Sequence, residues 1–341
     1  HPPPGALGPG PRRGAARAPR GAAGAAPAGA ARGRGPARLA ARRLAMLAVL
    51  LAAVFAAVEV LPGDAAGATA DRGADASELA ARRAAMGLDR PPAERFWDWM
   101  TGLPTGDLGT TARGQRVTDV LAGPFPNTLL LGGLALVLAV AGALVLGSWA
   151  TLRPGGRADR TIDALATTAF ALPEFVVSVA LLLLLSQWTG WLPAVTLTGP
   201  DGAPESWTML VLPLLALAIP QIGWNTRIVR GALADQAALP HVRAAVLDGL
   251  PRRRVLTHHM LPGALPAVAA GIATSAGMLL GGAVVVETLF NYPGIGAVLA
   301  GAITDRDTPL VAGVVAAAGA AISLLLLLAD LVRTTALGER R

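Results

Sequence analysis

Apolar positions in this chain are gathered into long runs separated by polar segments. Six stretches, about 39–61, 126–152, 162–189, 207–226, 264–290 and 309–332, carry few charges. Each reaches the roughly 20 residues with which a helix, rising about 1.5 Å per residue, crosses a hydrocarbon core of roughly 30 Å. A spanning segment must satisfy its own backbone, so runs of this length predict helices. The expected fold class is all-α: a polytopic membrane protein with six transmembrane helices. The first run follows a basic tail and contains Arg42, Arg43 and Glu59. It is longer than a signal-peptide core, and the LPGD after it is not a small-residue cleavage site, so it is read as a retained span.

The polar segments set the organisation. Residues 1–38 are a low-complexity mixture of Arg, Ala, Gly and Pro with no periodic apolar face, expected to be a disordered cytoplasmic tail. It has no stacking aromatics, which favours membrane lipid over nucleic acid as its neighbour. The net charge is +7, and every basic residue is Arg, but their placement says more than their number. With the N-terminus inside, inner segments hold 21 Arg and outer ones 8, while the outer loops carry most of the acids. The excess of positive charge on cytoplasmic loops therefore puts both termini in the cytoplasm. Two loops are longer than connections need to be. The outer one, 62–125, contains an amphipathic stretch in which Phe96, Trp97 and Trp99 suit an interfacial position.

The inner loop, 227–263, is the most informative. Residues His241–Asp248 predict a short helix with Val242, Ala245 and Val246 on one face, ended by Gly249, with Pro251 opening a second helix. A basic helix pair can suggest DNA binding, but its place between two spans argues against that. Catalytic chemistry is not legible. Cysteine is absent, which removes disulfides, thiolate metal sites and thiol nucleophiles. His258 and His259 are adjacent and point about 100° apart on a helix, so a shared metal site is not expected. The phosphate-cradling pattern G-x-x-x-x-G-K-[ST] occurs nowhere in the chain.

That inner loop resembles the permease subunits of bacterial binding-protein-dependent ABC importers, whose cytoplasmic loop follows E-A-A-x3-G-x9-I-x-L-P. Ala244, Ala245, Gly249, Leu261 and Pro262 match at the family's spacing, while Arg243 replaces Glu and His259 replaces Ile. The phrase HVRAAVLDGL looks closest to the dipeptide/oligopeptide/nickel branch. LPGD (Leu61–Asp64), MGLDRP (Met86–Pro91), GDLGTT (Gly106–Thr111), PNTLLL (Pro126–Leu131) and VETLFNYPGIG (Val286–Gly296) resemble that branch too, in the same order. The likeness covers about residues 40–338.

The resemblance implies an ABC importer type I permease fold: a first helix at 39–61, an extracytoplasmic loop at 62–125, and a permease domain of five helices at 126–338. It implies a transport subunit rather than an enzyme, with no cofactor of its own and ATP held by partner subunits. The implied partners are two cytoplasmic ATPases, a second homologous permease forming a heterodimer, and an extracytoplasmic solute-binding protein. The implied place is the bacterial inner membrane. Arg243, Ala244, Ala245, Gly249, Leu261 and Pro262 would form the ATPase-coupling element. Within the spans, Glu174 follows Pro173 near mid-bilayer, where a charge is costly and by default functional. It departs from the small polar residue usual in the family and would suit a solute with a positive amine; a hydrogen-bonded carboxyl satisfying backbone freed by Pro173 is the structural alternative. Gln221 and Asn225 either line the pathway or join helices. Glu59 and Glu287, near outer span ends, are expected to cap helices within reach of water. The competing class is an ion-coupled secondary transporter or channel, which predicts inverted repeats and several buried carboxylates.

Overall fold

The computed structural model describes residues 34–70, 74–200 and 202–338. Of the expected tail, 1–33 lie outside the described residues, whereas Arg34–Arg38 already form the first turn of a helix. The elements are α1 (Arg34–Val60), α2 (Ala65–Ala68), α3 (Ala76–Ala85), α4 (Pro92–Gly102), α5 (Val117–Leu121), α6 (Pro124–Leu152), α7 (Arg157–Ala171) and α8 (Glu174–Leu181). Then come α9 (Thr208–Ala237), α10 (Pro240–Leu247), α11 (Arg252–Arg254), α12 (Leu261–Leu289), α13 (Ile295–Thr304) and α14 (Thr308–Gly338). Among the described residues there is no strand, only two isolated bridges.

Five helices are long and apolar enough to cross a membrane, and a sixth span results if α7 and the α8 segment are taken together. The expected run 162–189 is not one straight helix: its two halves meet at 103°. Leu172 is extended, with φ −84° and ψ 125°, because the residue before a proline is pushed out of the helical region. Pro173 has no N–H to give to the turn before it, and α8 starts afresh at Glu174. The next two spans overrun their apolar runs. α9 continues through Arg227 and Arg230 to Ala237, and the α12 span is helical back to Arg252. Most of the predicted inner loop is thus helical stalk.

Small residues decide the packing. On α6, Ala135, Ala139, Ala143 and Gly147 recur every fourth residue, hence on one face, and all are buried. They lie against α9, so closely that a Cβ on Gly147 would sit 2.7 Å from Val229 Cγ1. The other sides of α9 do the same: a Cβ on Gly223 would meet Phe170 N of α7 at 2.8 Å, and one on Gly271 of α12 would meet Ile228 Cγ2 at 2.9 Å. In lipid no hydrophobic force drives helices together, so this close backbone approach supplies the van der Waals attraction. Consequently α9 is the most buried span and α1 the least.

α1 is held peripherally. Leu51 and Phe55 pack with Trp99, Ala312 and Ala316. Trp99 is 8% exposed and donates its indole N–H to Leu108 O at 2.9 Å, so it is a core residue rather than an interfacial one. Trp97, by contrast, is 64% exposed.

Candidate coupling and transport site

One end of the molecule is built around α10. Pro240 occupies its first turn, where a missing N–H costs nothing. Gly249 ends it at φ +76°, a left-handed conformation that favours glycine, while the N–H groups of Asp248, Gly249 and Leu250 close on Ala244 O, Val246 O and Ala245 O. Val242 and Ala245 are buried with Leu233, Val255, Leu256 and Met260. The opposite face is bare: Leu247 is 86% exposed and Val246 58%, with Leu239 beside them. The three residues expected on one face are therefore divided, with Val242 and Ala245 buried and Val246 exposed.

The predicted coupling residues divide accordingly. Ala245 anchors α10 to the spans, and Leu261 packs on the same cluster. Arg243 and Ala244 are on the exposed side of α10, and Pro262 is exposed at the start of α12. Arg252 is tied back by a 2.8 Å bond from Nη1 to Leu152 O. Between the ends of α6, α7, α9 and α10 lies a cavity of about 1110 Å³, whose lining includes Trp224, Arg227, Arg243 and Leu247.

Arg230 was legible in sequence only as one of the charges in the loop after the fourth apolar run. Its guanidinium forks between two carboxylates of α7, Nε to Asp159 Oδ1 at 2.7 Å and Nη1 to Asp163 Oδ1 at 2.9 Å. Asp159 also accepts from Gly155 N at 2.8 Å. The clamp fastens α7 to α9 one stalk-length from α10. The i,i+4 spacing of Asp159 and Asp163 is the sequence signal for it.

Of the predicted pathway residues, Glu174 is the first residue of α8, partly buried beside Gly282 of α12. A Cβ on Gly282 would lie 3.2 Å from Glu174 Oε1, so the glycine makes room for the carboxylate. The side chain accepts no hydrogen bond from any described residue, while its backbone carbonyl accepts from Ser178 Oγ at 2.8 Å. Gln221 and Asn225 are not brought to a surface: they are 1% and 3% exposed. Asn225 Nδ2 donates to Ser275 Oγ of α12 at 2.6 Å and to Gln221 O at 2.9 Å, a hydrogen bond that joins α9 to α12.

At the opposite end, Glu287 is fully buried, beyond the water expected beside it, but it does cap a helix, the first turn of α13. Its Oε1 accepts from Thr128 Oγ1 at 2.6 Å and its Oε2 from Gly296 N at 2.7 Å, while Thr128 Oγ1 accepts from Ile295 N at 2.9 Å. Asn127 donates to Gly202 O and Pro293 O, and Tyr292 donates to Asn127 O at 2.9 Å. The ends of α6, α12 and α13 are thereby locked together. Burial, then the neighbouring Glu287, pushes the Tyr292 phenol up to about 12. Glu59 is bridged by Arg95 and accepts from Thr308 Oγ1 at 3.1 Å.

Residues 143–335 match the family described as binding-protein-dependent transport system inner membrane component. The chain belongs to that family. The glutathione transport system permease protein GsiC of Pectobacterium atrosepticum is 33% identical over 266 residues, 78% of this chain and 85% of the relative. A probable peptide ABC transporter permease protein, y4tP, of Sinorhizobium fredii is 29% identical over 293 residues, 85% of this chain and 94% of the relative. An inward-facing structure of the MetNI methionine ABC transporter superposes with a TM-score of 0.51 at 19% identity, covering 64% of this chain and 96% of that one, which shows the shared fold. The molecule is thus a multi-pass inner-membrane permease subunit of an ABC importer, of the branch that the five ordered motifs indicated. Membership implies a binding protein and an ATPase as working partners, and the ion-coupled alternative falls away. The matched segment begins within α6 and runs into α14, so it contains the parts of α6, α7, α9 and α10 that frame the cavity.

Proposed function

We propose that this permease subunit carries peptides or a glutathione-like solute inward and forms half of the pathway, with a second, homologous permease supplying the other half. The relatives named for glutathione and peptide transport support the solute class. Both termini are cytoplasmic in this reading, as the Arg distribution favours. Residues 62–125 then face outward as a platform for the binding protein, and residues 126–338 form the moving domain.

The carrying observation is α10. A short helix between two spans, packed by Val242 and Ala245, that leaves Val246 and Leu247 bare is a knob awaiting a groove. The occupant of that role is an ATPase subunit that binds ATP on this chain's behalf, since the chain carries no P-loop sequence. Arg243 and Ala244 meet the ATPase, Ala245 and Leu261 hold the knob to the spans, Gly249 makes its turn, and Pro262 begins the stalk. Closure of the ATPase dimer moves α10, and the stalks and the Arg230 clamp carry that displacement to α7 and its break at Pro173, a rigid-body switch between inward-open and outward-open states. Glu174 beside that break is the pathway residue of this reading; Gln221 and Asn225 hold α9 to α12.

Leu247→Glu tests it. The variant should insert normally but lose co-purification of the ATPase and solute uptake together. Retention of the ATPase at native levels would refute the assignment. Because the chain has no cysteine, a single Ala244→Cys can be probed with a membrane-impermeant thiol reagent; labelling from outside intact cells would overturn the topology.

A further inference from the structure

The break between α7 and α8 leaves one carboxylate without a partner. Residues 157–188 form the bent pair, so Glu174 stands near its middle. Its side chain lies against α12 at Gly282, seven residues inside the end of that helix at Leu289, or about 10 Å of helical rise. Both positions fall within apolar spans. A carboxylate there is costly unless it faces water or meets a positive charge.

The alternative expected from sequence, a carboxyl that satisfies backbone freed by Pro173, does not form. The N–H groups of Val176 and Val177 close on Pro173 O, and Ser178 Oγ donates to Glu174 O, so α8 begins without help from the Glu174 side chain. Neither carboxyl oxygen has a hydrogen-bond or ion-pair partner among the described residues, and neither is shut away from solvent. The adjoining side of α12 is open. Ala270, Thr274, Gly281 and Val285 are exposed, and a Cβ on Gly277 or Gly281 would meet no atom within 4 Å. These residues recur every three or four positions and so share one face, with Gly282 on its flank. An accessible carboxylate beside an open face of small residues attracts an ammonium group and repels a second carboxylate.

We propose that Glu174 sets the charge preference of the pathway, favouring peptides with a positively charged side-chain amine over acidic ones. This rests on the reading of the chain as half of a peptide pathway, and it narrows the substrate class of that pathway to cationic peptides.

The test uses the complete importer in proteoliposomes with its own binding protein, supplied with equal amounts of Ala-Lys-Ala, Ala-Gln-Ala and Ala-Glu-Ala. ATP-driven uptake of each is read by mass spectrometry and divided by the binding protein's own affinity for it, which leaves the preference of the permease. A ratio taken within one preparation does not depend on how much importer assembles. Glu174→Gln and Glu174→Ser should each lower the ratio of the Lys peptide to the Glu peptide by roughly tenfold or more, while Glu174→Asp, which retains the charge, should keep most of it. An unchanged ratio in Glu174→Gln overturns the proposal. So does a Glu174→Asp chain that loses as much as Glu174→Gln, because shape rather than charge would then decide. A Glu174→Gln chain that purifies without the second permease would assign the carboxylate to the seam between subunits, and overturns it too. Failure of the native importer to take up any of the three peptides would instead strike at the peptide reading itself, which keeps the two failures apart.

Discussion

Glu287 is the residue whose replacement should hurt most for its size. In Glu287→Leu the volume is roughly kept, but two donors lose their acceptor in a fully buried site: the Thr128 hydroxyl at 2.6 Å and Gly296 N–H at 2.7 Å. Each buried donor left without a partner costs about 1–3 kcal/mol, so the pair amounts to about 2–6 kcal/mol before relaxation. Glu287→Gln is a milder change. Its Oε1 can still accept from Gly296 N–H and its amide can donate to Thr128 Oγ1, whose own proton can turn to a carbonyl of the preceding helical turn, so one amide hydrogen is left unmatched, at about 1–3 kcal/mol. The assay is the thermal midpoint of the purified permease in nanodiscs, followed by size-exclusion recovery. With an unfolding entropy of about 2.1 cal/mol/K per residue, one kcal/mol is about 1.4 °C for a chain of 341 residues, so the Leu variant should fall by about 3–8 °C and the Gln variant by clearly less. A Leu variant within about 1 °C of the native midpoint, or a Gln variant that is the worse of the two, would refute the account of this lock.

Three further outcomes follow from the same geometry. Gly223→Ala would press a methyl against backbone of α7, which cannot step aside as a side chain can, so it should cost about 1–3 kcal/mol; Gly231→Ala, with open space at its Cβ, should cost nothing measurable in the same thermal assay. Arg230→Met strands Asp159, whose side chain is 7% exposed, and breaking such a pair costs about 3–5 kcal/mol, towards the lower end here because Arg230 itself is 37% exposed. Adding Asp159→Asn should restore part of that loss, and a double variant as weak as the single one would show that the clamp is not the cause. Burial works against ionisation of Asp64, but Gly67 N–H and Arg83 outweigh it and hold the carboxyl below its usual range. Its contribution is therefore present above the unfolded carboxylate pKa and lost as pH falls through the lowered folded value. Limited proteolysis of the segment between α1 and α4 should quicken on acidification, and Asp64→Asn should flatten that dependence.

Much of this molecule was determined by sequence alone, and the reason is physical. Lipid demands long, self-satisfied apolar helices, so the six runs are visible without a fold. The α10 turn was legible for a similar reason: Pro240 and Gly249 act locally, through a missing N–H and a left-handed φ. What the tertiary structure decided depends on neighbours far away in the chain. Only packing shows that Ala245 faces in while Val246 faces out, since both suit the apolar side of so short a helix. Only the folded chain brings Thr128 to Glu287, or Arg230 to Asp159, across intervals that no local pattern encodes. The break at Pro173 lies between the two cases, for the proline announces a bend, but its 103° angle is set by how α7 and α8 each pack on α9.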